Sequence, residues 1–140
     1  VSRSGYFEDM DDQWAHIRWR GAVASAIRGK RGQAFLTEML AALDALPEKK
    51  LVSMELESGG NVCAIGSVGR ARGIDMSAID PEDYSRVANL FGVAEPLVQE
   101  IVWLNDEAGP WKETPEDRFA RMRRWVEHAI SAERAKGGDA

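Results

Sequence analysis

The sequence predicts a single α-rich α+β domain. Three observations carry that expectation. Two runs in the N-terminal third repeat their apolar residues at helical spacing; one short run, residues 51–57, alternates with period two; and the C-terminal half holds three more helical runs. The predicted order is an N-terminal helical hairpin, one β-hairpin, a helix-turn-helix-like corner and a C-terminal helix. Residues 1–10 read as a loose polar leader, 11–134 as the globular part and 135–140 as a frayed tail.

Each element has its own warrant. Asp11 and Asp12 open the first helix, where acids suit the positive end of the dipole. Trp19, Val23, Ala26 and Ile27 form its core stripe, and Gly29-Lys30-Arg31-Gly32 breaks it. The second helix, 33–46, carries Phe35, Leu36, Met39, Leu40 and Leu43 inward and stops at Pro47. Val52, Met54 and Leu56 alternate with polar residues, as in a half-buried strand. Ser58-Gly59-Gly60-Asn61 is a turn signal, and 62–68 reads as the partner strand, followed by a loop over 69–79. Asp80-Pro81-Glu82-Asp83 predicts the next helix start, with Asp80 as cap. Gly92 ends that helix, and another runs over 95–104. Thr114-Pro115-Glu116-Asp117 opens the last helix, with Phe119, Met122, Val126, Ala129 and Ile130 inward and Arg118, Arg121 and Arg124 outward.

Composition narrows the function classes. A chain of 140 residues can bury roughly two-thirds of its unfolded surface without staples. Cys63 is the single cysteine, so an internal disulfide is excluded. No apolar run reaches the length of a membrane span. The acidic N-terminus does not read as a signal peptide, and an intracellular setting is expected. The net charge of −5 opposes wrapping nucleic acid with the whole surface, but the charge is uneven. Residues 18–32 hold Arg18, Arg20, Arg28, Lys30 and Arg31 with no acid, whereas 51–100 hold eight acids against Arg70, Arg72 and Arg86.

Two surfaces follow as binding candidates. The first is the basic flank of Arg18, Arg20, Arg28, Lys30 and Arg31, with Arg70 and Arg72 from a second Gly-Arg-Ala-Arg-Gly segment contributing. Glycines there let backbone N–H groups turn to an anion, and the cations suit phosphates. The second lies in 84–103, which has helix-turn-helix spacing but presents Glu95, Gln99, Glu100 and Trp103 where a DNA reader would place cations. That acidic face suits docking on a basic protein partner, with Trp103 as anchor.

Catalytic and metal patterns are absent from the sequence. His16, His128 and Cys63 are far apart along the chain, and the acids at 75–83 lack calcium-loop spacing. No zinc set, nucleophile elbow or nucleotide-binding loop occurs. No catalytic residue, metal or cofactor is assigned, and the expectation is a binding protein rather than an enzyme.

The segments Ile17-Arg18-Trp19-Arg20-Gly21-Ala22-Val23, Arg28-Gly29-Lys30-Arg31-Gly32-Gln33-Ala34-Phe35-Leu36, Gly69-Arg70-Ala71-Arg72-Gly73-Ile74-Asp75-Met76, and Asn105-Asp106-Glu107 with Glu113-Thr114-Pro115 together resemble a family of small proteins encoded by phages and prophages of Proteobacteria. The resemblance spans roughly residues 2–130. It implies a setting in the cytoplasm of an infected or lysogenic bacterium and assigns no site residue. Two functions are then expected. One is an accessory protein binding nucleic acid or a nucleoprotein complex through the basic flank. The other is an inhibitor or adaptor that binds a host defence protein through the acidic helix face.

Overall fold

The structure is a computed structural model and describes residues 13–137. The leader at 1–10, the opening acids Asp11 and Asp12, and residues 138–140 of the tail lie outside that range. Six helices and one small hairpin occur among the described residues. In order they are α1 (Gln13–Arg28), α2 (Lys30–Ala45), β1 (Glu57–Ser58), β2 (Asn61–Val62), α3 (Ala64–Ala71), α4 (Tyr84–Phe91), α5 (Glu95–Asp106) and α6 (Pro115–Gly137). The mostly helical α+β class is the one the sequence predicts; the order of elements differs by one insertion, α3, between the β-hairpin and the helix-turn-helix-like corner.

α2 is the central beam. Phe35, Leu36, Met39, Ala42 and Leu43 are buried at helical spacing, and α3 and α6 pack along them. α1 folds back through Gly29 alone and lies against α2 and α5, with Val23 fully buried. α6 contributes Phe119, Met122, Val126 and Ile130. Its start is capped as expected, Thr114 Oγ1 accepting from the Asp117 N–H at 3.1 Å.

The middle of the chain departs from the period-two reading. The two strands pair antiparallel over only Glu57↔Val62 and Ser58↔Asn61. Ahead of them the backbone turns at Met54, whose φ is 70°, so 51–56 is a bent segment rather than a strand. It is held from outside: the Met54 N–H donates to Asp106 Oδ1 at 3.0 Å, and the Val52 carbonyl accepts from Asn105 Nδ2 at 3.0 Å.

Residues 62–68, expected as the partner strand, become helical after Val62. Cys63 is the N-cap of α3, its Sγ accepting from the Gly66 N–H at 3.3 Å. Ala64 to Gly69 are buried all round. A short apolar run such as 62–68 fits a buried strand and a buried helical turn equally well by sequence pattern, which is why the sequence predicts a strand there. A Cβ on Gly66 would fall 2.0 Å from the Leu56 carbonyl oxygen, so only glycine lets α3 sit this close to the bent segment. Asn105, itself buried, accepts from the Ala64 N–H at 3.2 Å and so ties α5, α3 and the Val52 carbonyl together.

α4 begins three residues later than its proline-marked signal. Asp83, not Asp80, is its N-cap, accepting from the Arg86 N–H at 3.2 Å; Asp80 instead accepts from the Glu82 N–H at 2.9 Å in a local turn. Gly92 ends α4 in the left-handed region at φ 72°. α4 and α5 are bent by 109°, a helix-turn-helix-like corner with Val87, Phe91, Val93, Val98 and Ile101 buried. No single described helix is long and apolar enough to cross a membrane.

The outward-facing arginines expected on α6 are a second correction. Arg118 donates to the carbonyls of Leu51 at 3.0 Å and Asn105 at 3.1 Å, and Arg121 donates to that of Leu104 at 2.6 Å. They satisfy the carbonyls at the end of α5, which would otherwise be orphaned. Glu113 holds Arg121 bidentately at 2.6 and 2.8 Å. Of the three, only Arg124 is exposed.

Candidate functional site

The helical hairpin brings most of the basic flank to one side. Residues 13–37 hold five cations and no acid. Arg18 and Arg28 lie on the outer side of α1, and Lys30 and Arg31 open α2; all four are exposed. Arg28 leans on its own helix, donating to Ser25 Oγ at 3.2 Å.

At the α1–α2 junction lies a cleft of about 220 Å³, lined by Ser25, Ala26, Gly29, Lys30, Arg31, Gly32 and Ala94. Two helix starts meet at it. Gly29 is the N-cap of α2 and Ala94 that of α5, and neither supplies a side-chain cap bond. The first turn of α2 therefore sets N–H groups without a side-chain cap beside the charges of Lys30 and Arg31, whereas in α5 Pro96 has no N–H and the Leu97 N–H donates to the Ala94 carbonyl at 3.1 Å. Glu95, the acid next in chain to Ala94, is turned to Ser85, whose Oγ donates to it at 3.1 Å.

The other predicted cations are held by contacts within the fold. Arg20 Nη1 lies 3.0 Å from both carboxylate oxygens of Glu100. Arg70 donates to the Gly60 carbonyl and lies 3.7 Å from Glu57. Arg72 grips Glu38 at 2.7 and 2.6 Å and stacks over the Phe91 ring at 5.5 Å. The Arg72 guanidinium holds the Glu38 carboxyl below its ordinary value. Arg20, Arg70 and Arg72 thus each make contacts within the fold.

The acidic face is closed in the same way. Glu100 is only 4% exposed, because α1 lies across α5 and Arg20 covers its carboxylate. Gln99 and Trp103 are half-buried, and Glu95 alone of the four is exposed. Of the face that would read DNA in a helix-turn-helix, or dock as an acidic surface, Glu100 is therefore an internal contact.

Cys63 is buried, its thiol pushed up to about 11 by desolvation, so it is protonated at neutral pH and serves as a cap. His16 is half-buried on α1 and His128 exposed on α6. Among the described residues no group of three His, Cys, Asp or Glu side chains converges.

Trp14 and Ile17, like Trp111, are surface residues that the sequence pattern does not single out. They stand 70% and 55% exposed on the outer side of α1. The signal was their helical register with the cations: Trp14, Ile17, Arg18, Gly21, Ser25 and Arg28 share one face. Compared with protein-family models, curated proteins and solved structures, the chain matches none.

Proposed function

We propose that this chain is a non-catalytic accessory protein that binds nucleic acid, or a nucleoprotein complex, through the outer side of α1 and the α1–α2 junction. The supporting observation is the exposed group of Arg18, Arg28, Lys30 and Arg31 in a stretch with no acid, with the start of α2, which has no side-chain cap, opening on the cleft that Lys30 and Arg31 line. Phosphate is the ligand chemistry that cations and convergent backbone N–H groups suit. The phage or prophage setting implied by the sequence resemblance belongs to the same proposal. Docking on a host defence protein through the acidic face is the weaker reading, because Glu100 lies under α1.

The test is fluorescence anisotropy with labelled DNA and RNA across a salt series. About four phosphate contacts give a log–log salt slope of roughly −3 to −4. The double variant Lys30→Glu/Arg31→Glu should weaken binding at least tenfold. Its fold should persist, since acids suit the first turn of α2. Absence of binding at about 50 mM salt, where counterion release still favours the complex, rejects the proposal.

A further inference from the structure

We infer that this chain self-associates, with Trp111 of one copy entering the α1–α2 junction cleft of another. The inference goes beyond the nucleic-acid reading and does not depend on it.

Trp111 stands 91% exposed in the loop between α5 and α6. Its neighbours fix its position. The Glu113 N–H donates to the Pro110 carbonyl at 3.1 Å, closing a turn over residues 110–113. Arg121 holds the Glu113 carboxylate at the base of that turn, and a Cβ on Gly109 would fall 2.5 Å from Glu113 Oε1. On the α5 side the Ala108 N–H donates to the Trp103 carbonyl at 3.1 Å. Lys112 Nζ lies 5.2 Å from the ring centroid. The ring is thus carried into solvent on a braced turn, and an aromatic side chain presented in this way loses little freedom on docking.

Charge selects the occupant. Residues 106–117 hold five acids against one cation, Lys112. Glu113 is taken up by Arg121, and Glu107, Glu116 and Asp117 are exposed. Such a rim repels phosphates and anionic headgroups and attracts a cationic surface. This chain carries one. Lys30 and Arg31 are exposed and line the junction cleft together with Ala26, Gly29 and Ala94. The cleft volume of about 220 Å³ lies below the roughly 300 Å³ at which small-molecule pockets begin, and suits one large side chain. Ala26, Gly29 and Ala94 give it small apolar walls, and the two cations suit the face of an indole ring.

Within one molecule the two surfaces lie apart. The cleft is at Ala94, the start of α5, whereas Trp111 follows the end of α5 at Asp106. The 12 residues of α5 separate these points by about 18 Å. A contact between them therefore joins separate copies, and it joins unlike surfaces.

The experiment is sedimentation velocity on the whole chain. The average mass of wild type should rise between about 10 μM and about 500 μM protein at about 50 mM salt, and fall back in about 0.5 M salt, which screens the rim charges. Trp111→Ser removes an exposed ring and should leave the fold intact. It should weaken association at least tenfold, as loss of an interface anchor does. Lys30→Glu/Arg31→Glu should do the same from the cleft side. Circular dichroism checks that both variants stay folded. The two variants are then mixed. Each alone should be monomeric, but the Trp111 loop of one fits the unaltered cleft of the other, so the mixture should form a dimer and nothing larger. Wild type that stays monomeric, association that Trp111→Ser leaves unchanged, or a mixture without dimer overturns the inference. Binding of labelled oligo-dT or of phosphatidylserine vesicles that Trp111→Ser abolishes would put another occupant on the ring, and overturns it too. Loss of the inference leaves the basic-face reading standing, since nucleic-acid anisotropy decides that separately.

Discussion

At Arg20 and Glu100 the two candidate faces of the chain meet and neutralise each other. The Glu100 side chain is buried, and the Arg20 side chain is 43% exposed with one guanidinium nitrogen 3.0 Å from both oxygens. Arg20→Ala leaves Glu100 under α1 without its cation. The expected loss is about 3 kcal/mol, toward the low end for broken buried pairs, because water can follow the half-open arginine. Urea denaturation of Arg20→Ala, Glu100→Leu and the double variant Arg20→Met/Glu100→Leu gives the check. The double variant should recover most of the loss, and a double variant as unstable as Arg20→Ala contradicts the pairing account. The candidate site was legible where it depends on local order. Arg18, Arg28, Lys30 and Arg31 stand in an acid-free stretch, and a helix end at Gly29 exposes them. It was illegible where it depends on contacts across the chain. Arg20 meets an acid 80 residues away and Arg72 one 34 residues away, and no periodicity carries that information. Trp14 was missed because an apolar residue on a helix reads as core until the packing of neighbours is known.

Among the elements, α3 shows most plainly how packing overrides local preference. Its sequence, Ala-Ile-Gly-Ser-Val-Gly-Arg-Ala, carries two glycines, each costing a helix about 1 kcal/mol against alanine. The helix persists because Cys63 caps it, Asn105 accepts from its first N–H, and Gly66 lets it reach Leu56. Two glycine-to-alanine replacements should therefore act with opposite sign. Gly21→Ala, in open space on α1, should stabilise by up to about 1 kcal/mol. Gly66→Ala should destabilise by about 2–3 kcal/mol despite the same gain in propensity, because main chain must shift to admit the methyl. Chemical denaturation of the two variants measures both signs, and a stabilised Gly66→Ala would contradict the seat of α3 against Leu56. The amphipathic helices α2 and α6 were legible because one face is wet and the other dry. The α4–α5 corner was legible from Gly92 and its flanking apolar residues. The hairpin turn was legible and the strands were not, since both strands give way within two residues to side-chain bonds from α5 and to the cap of α3.

Across the whole molecule, besides Arg20–Glu100, three arginine–carboxylate clasps among the described residues join one element to another, two of them far apart in sequence. Glu38–Arg72 ties α2 to the end of α3, Asp44–Arg123 ties α2 to α6, and Glu113–Arg121 ties the α5–α6 loop to α6. In each, the hydrogen-bonded guanidinium holds the carboxyl below its ordinary value. A carboxyl lowered by folding contributes stability above its unfolded value and loses it as pH falls through the lowered one. Stability should therefore be level from neutral pH down to about pH 5 and fall below about pH 4, where unfolded carboxylates take up protons. The clasps do not weigh equally. Asp44 is exposed and Arg123 half-buried, so water and salt screen the pair. The Glu113 side chain is 5% exposed and serves the arginine that also donates to the Leu104 carbonyl of α5. Glu113→Gln should cost about 2–3 kcal/mol at pH 7, since Arg121 loses its charged partner. It should also flatten the acid limb, because one of the groups that titrates on unfolding is gone. Urea midpoints of wild type and Glu113→Gln between pH 7 and pH 3 should therefore converge as the solution is acidified. Parallel curves would mean that Glu113 does not bind its proton differently in the folded and unfolded chains, and the acid sensitivity would then belong to the other two clasps.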